Sequence, residues 1–107
     1  MPIVVDGAEQ IAERRLISLQ HSGGHFDIRS IRIGVGGRSA LHSHPWPQAN
    51  YVISGHGRIC LGDRELPVGP GDFVFVQGHV RHRFLNTSRE ELIFLAIRGS
   101  SETALPR

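Results

Sequence analysis

From Phe26 onward the chain consists of short runs of apolar residues, several of them alternating with polar ones, and glycine closes most of them. Alternation with a period of two is the signature of strands with one buried face. The pattern predicts strands at Phe26–Val35, Ala49–Ser54, Gly57–Leu61, Phe73–Val76, His82–Asn86 and Leu92–Ile97, with a further short one near Glu65–Leu66. Turns are expected at Gly36-Gly37, Gly55-His56-Gly57, Gly62-Asp63 and Gly69-Pro70-Gly71-Asp72. Many short strands with this punctuation indicate an all-β sandwich or barrel. Leu92–Ile97 is apolar at every position, so both of its faces need cover, from the domain core or from a partner subunit. Before the first strand, Ala8–Leu16 is charged and only weakly amphipathic; it fits a short helix or an extended arm.

A chain of 107 residues is expected to form one domain, divided here into an N-terminal arm (1–24), a barrel (25–98) and a tail (99–107). Its 12 basic residues are all arginine, and the net charge is only +2. The arginines are scattered rather than gathered into a stripe, which argues against nucleic-acid binding. No run approaches the roughly 20 apolar residues of a membrane span, and Met1–Asp6 lacks the apolar stretch of a signal peptide. One cysteine, Cys60, cannot form an internal disulfide and fits a reducing cytoplasm. Mid-strand between Ile59 and Leu61, it reads as a small buried hydrophobe.

The candidate chemistry sits in His42-Ser43-His44, Gln48 and His82. Three imidazoles and an amide are a donor set for a divalent transition metal. On a strand, residues i and i+2 share a face, so His42 and His44 can reach one point. On a helix they would diverge by about 200°. Parity extends the list of inward residues. With Gln48 go Asn50 and Val52; with His82 goes Phe84; on the last strand Phe94, Ala96 and Arg98 form one class. Arg29 shares parity with Ile31 and Ile33. An inward guanidinium beside a metal needs an anion, which makes Arg29, and with it Arg98, a candidate for a substrate carboxylate. Asn50 is a candidate polar group beside the reaction centre. His56 and His79 fall in turns, with His79 nearer a pocket rim, and His21 and His25 precede the first strand. Trp46, between Pro45 and Pro47, suits a loop anchor or a wall over the metal.

Two spaced motifs in the right order resemble those of the cupin superfamily. The first reads Gly36, five residues, His42-Ser43-His44, three residues, Gln48, six residues, Gly55. The second reads Gly71, five residues, Gln77-Gly78-His79, two residues, His82, three residues, Asn86. The spacings match the cupin pattern, with Gln48 in place of Glu, Gln77 in place of Pro and His79 in place of Gly. The resemblance covers Gly36 to Asn86, about half the chain. It implies a jelly-roll barrel, a double-stranded β-helix. It also implies one divalent transition metal per chain (Zn, Mn, Fe, Ni or Cu) held by His42, His44, Gln48 and His82. An amide in place of a carboxylate leaves the metal its full charge, which favours Lewis-acid work.

Uronate-linearising cupins and cupin hydroxynitrile lyases use a similar three-His, one-Gln set. The first group carries an acid on a late strand, absent from Leu92–Ile97; the second carries a His where this chain has Phe84. The expected function is an isomerase, lyase or cyclase acting on a small carbonyl- or carboxylate-bearing anion, with no obvious Asp or Glu as base. A redox dioxygenase and a non-catalytic ligand-binding or sensor module are the alternatives. Similar small cupins commonly dimerise, and Leu92–Ile97 and the arm Ile3–Val5 are natural pairing elements for a homodimer.

Overall fold

The computed structural model describes residues 9–99. The arm segment Ile3–Val5 and nearly all of the tail lie outside the described residues. Eight strands follow in chain order: β1 (Glu9–Ile17), β2 (Phe26–Arg38), β3 (Gln48–Ser54), β4 (Gly57–Leu61), β5 (Arg64–Val68), β6 (Phe73–Val76), β7 (His82–Leu85) and β8 (Leu92–Gly99). They form one curled antiparallel sheet in the order β5-β4-β7-β2-β8-β3-β6, with β1 added to β2. Among the described residues there is no helix, and none therefore long and apolar enough to cross a membrane.

The helical option for Ala8–Leu16 is overturned: Glu9–Ile17 is a strand. Its pairing explains why. Ile11 faces Ile33, Glu13 faces Ile31 and Arg15 faces Arg29 across an antiparallel ladder. A neighbouring strand satisfies backbone groups that a short, charged, isolated helix would hold only marginally. A bulge between Glu9 and Ile11, where Gln10 takes φ 53°, bends the entry of this strand.

The core follows from parity. Ile31, Ile33, Val52, Ile59, Val68, Val76, Phe84, Leu92 and Phe94 are buried together on the concave side. Phe84 and Phe94 stack at 4.1 Å between ring centroids, joining β7 to the distant β8. Within the all-apolar stretch, Leu92 and Phe94 point into the core, while Ile93, Leu95 and Ile97 are half-buried on the convex side. Asn86 is structural: its amide donates to the carbonyls of Ile33 (2.8 Å) and Glu90 (2.7 Å), closing the β7–β8 loop.

Two tight approaches fix where β7 lies. A Cβ on Gly57 would stand 2.2 Å from the Leu85 carbonyl oxygen, and one on Gly78 would stand 2.3 Å from that of Pro45. Gly57→Ala must therefore push β4 from β7. It is expected to lower stability by about 1–3 kcal/mol, read as a shift of the urea midpoint at unchanged slope.

Candidate metal centre

The segment between β2 and β3 carries two of the histidines outside any named strand, yet it is firmly tied to β7. Ser39 N–H donates to the Phe84 carbonyl (2.9 Å), and the Ser39 hydroxyl accepts from Phe84 N–H (2.8 Å). His42 and His82 exchange backbone hydrogen bonds of 3.2 and 2.9 Å as an isolated antiparallel bridge. His79 N–H donates to the His44 carbonyl at 2.6 Å. At that position φ is 69°, the left-handed region that explains why the cupin pattern has Gly where this chain has His79.

These bonds bring the three imidazoles together. Ring centroids of His42 and His82 lie 4.6 Å apart, those of His44 and His82 5.0 Å, and those of His42 and His44 5.4 Å. One ring nitrogen from each lies within 4.8 Å of the others, so the three are positioned to hold a metal ion. The rings also present the right atoms. Nδ1 of His42 contacts the Ala40 carbonyl at 2.9 Å, that of His44 the Trp46 carbonyl at 2.8 Å, and that of His82 the Val80 carbonyl at 2.9 Å. A carbonyl oxygen only accepts, so each Nδ1 carries the proton and each Nε2 keeps its lone pair. Nε2 of His44 and of His82 is buried with no hydrogen-bond partner. A buried lone pair with no donor is costly unless a metal meets it. Burial lowers the His82 pKa, and the neighbouring His42 and His44 push it the same way against the opposing Val80 carbonyl. That keeps the ring in the neutral form that ligates.

Gln48 is oriented by a hydrogen-bond relay. Asn50 donates from Nδ2 to the Val74 carbonyl at 3.3 Å, so its Oδ1 accepts from Gln48 Nε2 at 2.8 Å. The Gln48 carbonyl oxygen is the atom left over, and Gln48 lines the same cavity as the histidines. Asn50 shares its parity but is fully buried and does not line the cavity. Asn50 reaches the cavity through its hydrogen bond to Gln48, which does line it.

The cavity measures about 610 Å³ and opens beside the histidines. Arg29 lines it, as parity requires, but it is not a free cation. Its Nε donates to Asp27 Oδ1 at 2.9 Å and its terminal nitrogen to Glu13 Oε2 at 2.5 Å. Burial works against this charge, but Asp27 and Glu13 outweigh it and raise the pKa. Arg15 adds a 3.3 Å contact to Asp27 Oδ2. Glu13 and Asp27 both line the cavity, so the expectation of a pocket without acids is also corrected. Asp27 shares the parity of Arg29, which was readable in the sequence. Glu13 became inward only because β1 is a strand. Trp46 forms a wall, stacked on His44 at 4.8 Å and 6°. His56 and His79 do not line this cavity.

A curled antiparallel half-barrel with three histidines converging on its concave side defines a class of small β-barrel metal-site proteins. The cupin domain family model matches residues 29–98, and the chain belongs to that family. A cupin-2 domain from Rhodospirillum rubrum superposes with a TM-score of 0.81 at 26% identity, over 94% of this chain and 66% of that one. The polyketide cyclase RemF from Streptomyces resistomycificus superposes with a TM-score of 0.80 at 25% identity, over 92% of this chain and 70% of that one. In sequence, the glucose-6-phosphate isomerase of Thermococcus kodakarensis is 41% identical over a 64-position alignment that covers 52% of this chain and 34% of that protein. The chain thus matches about a third of the length of that curated relative. Cupins similar to this chain therefore include enzymes.

Adding Zn²⁺, Mn²⁺ or Ni²⁺ to chelator-treated protein is expected to raise its melting temperature, by about 2.7 kcal/mol of stability at a hundredfold excess over Kd. The double variant His42→Ala, His82→Ala should show no shift in differential scanning fluorimetry and no metal by elemental analysis.

Proposed function

We propose that this cupin is a metal-dependent enzyme that moves a proton on a small carbonyl- or carboxylate-bearing substrate, in an isomerisation, cyclisation or elimination. The observation that carries this reading is the set of three imidazoles with Nδ1 tied to backbone carbonyls and Nε2 facing one another. Three nitrogens and the Gln48 oxygen suit one divalent transition metal per chain. Such an ion, when bound, supplies Lewis acidity to a substrate oxygen without a ligand carboxylate to offset its charge.

The chain supplies the proton acceptor. Both oxygens of Asp27 are engaged, by Arg29 and Arg15. Glu13 gives only Oε2 to Arg29; among the described residues its Oε1 has no partner, and its side chain is 25% exposed. Glu13 is therefore the acid able to take a proton from the carbon next to a carbonyl, the bonding pair passing to the carbonyl oxygen. Arg29 holds the carboxylate in place. A base in the cavity favours proton transfer over oxygen chemistry. It also answers the absence of a carboxylate among the metal-site residues.

The test is solvent exchange. With metal-loaded protein in D₂O, a panel of small 2-oxo acids, with and without aryl groups, is followed by ¹H NMR. Deuterium should enter next to the carbonyl of at least one. Glu13→Gln should slow that exchange about a hundredfold or more while leaving metal content unchanged. No exchange across the panel would favour a ligand-binding module instead.

The same reading includes a homodimer. On the convex face, Tyr51 (44% exposed) pairs with Phe73 (62%), and Ile53 and Phe75 flank them. Ile93, Leu95 and Ile97 of β8 extend the patch. A run of exposed aromatics on one face of a sheet is normal at an interface. Light scattering at micromolar concentration should give twice the chain mass, and Tyr51→Glu with Phe73→Glu should give the monomer.

A further inference from the structure

We propose that Arg98 is the cavity's receptor for an oxyanion, a carboxylate or a phosphate ester, carried on a flat apolar body. This deepens the reading of the cavity as a substrate site by naming the group that selects the substrate.

Charge comes first. Two arginines line the cavity, Arg29 and Arg98. Around Arg29 the charges cancel: Asp27 and Glu13 face Arg29 and Arg15. Arg98 lies directly across from Asp27 in the β2–β8 ladder, so an ion pair between them is the obvious expectation. It does not form; the two Asp27 oxygens meet Arg29 and Arg15 instead. Among the described residues Arg98 has no acidic partner, and its Nε is buried without any hydrogen-bond acceptor.

Geometry comes second. The Arg98 guanidinium carbon sits 4.2 Å from the centroid of the Trp46 ring. A cation–π contact of this kind places the guanidinium over the ring and needs no hydrogen-bond acceptor, so it leaves the N–H donors available to a ligand. Trp46 in turn stacks on His44. A planar anion that bonds to the free edge of Arg98 is thereby held on the side of the cavity where the three imidazoles converge. Phe84, Phe94, Ile31 and Leu41 provide the apolar surface that its body would cover. A neutral or polyhydroxylated ligand would satisfy neither the guanidinium nor these walls.

Trp46 is the sole tryptophan, so its fluorescence reports on this site alone. The experiment titrates metal-free full-length protein with phenylacetate, phenyl phosphate and the neutral phenylacetamide. At least one anion should change the fluorescence saturably and bind roughly tenfold or more tightly than the amide. Whichever anion does so distinguishes a carboxylate site from a phosphate site. Arg98→Gln, checked for folding by circular dichroism, should lose roughly tenfold in affinity, and Arg98→Lys should fall between. Equal binding of anion and amide, no binding of either, or full affinity in folded Arg98→Gln overturns the proposal. If Arg98→Gln does not fold, the anion-to-amide ratio in the parent decides. Metal-free protein separates the two readings: anion binding with no uptake of metal would sink the metal reading and leave this one standing.

Discussion

The reciprocal backbone pair between His42 and His82 is the constraint on which the site depends. It joins residues from the two halves of the chain, and it does so outside any named strand on the His42 side. Without it, the segment between β2 and β3 would be a loop with two histidines of its own choosing. With it, and with Ser39 on Phe84 and His79 on His44, that segment is zipped along β7. In an antiparallel ladder, side chains directly opposite one another project to the same face. One backbone pair thus places two rings side by side, and the i, i+2 rule adds the third.

The electrostatics follow from how each polar group is held. Each imidazole donates its Nδ1 proton to a carbonyl, and burial lowers the pKa of His82. The acids are matched by arginines. The matching is uneven in depth: the Asp27 side chain is 4% exposed, whereas that of Arg15 is 53% exposed. A buried carboxylate needs more than one exposed partner to offset its desolvation, and Arg29 from inside the cavity supplies the rest. The same bonds that make Asp27 tolerable withdraw Arg29 from any other anion.

The three-histidine cluster was legible in the sequence because spacing alone encodes it. His42, His44 and His82 were found from residue type and interval, and the core faces of β2, β3, β7 and β8 from alternation. What failed was everything that depends on β1. Ala8–Leu16 carries Glu9, Glu13, Arg14 and Arg15, and such a run reads as a solvated helix or an arm. Its strand character comes from β2, and the charges it turns inward are compensated by Asp27 and Arg29 on that partner. No local pattern contains that information. For Asn50 alternation gave the direction but is silent on depth: the residue is fully buried and bonded to Gln48.

Each metal-site ring is steadied by a carbonyl within two residues of itself: Ala40 for His42, Trp46 for His44 and Val80 for His82. In many metal sites that support comes from a second side chain elsewhere, and losing it costs the ion. Here the support is main chain, and no side-chain replacement deletes a carbonyl. The orientation of the three rings is therefore insulated from change in the surrounding walls. Residues such as Glu13, Leu41 and Arg98 can be exchanged without turning the imidazoles. A lineage built on this tripod could vary its walls while keeping the ring geometry, which gives a physical reason for one barrel to serve many chemistries.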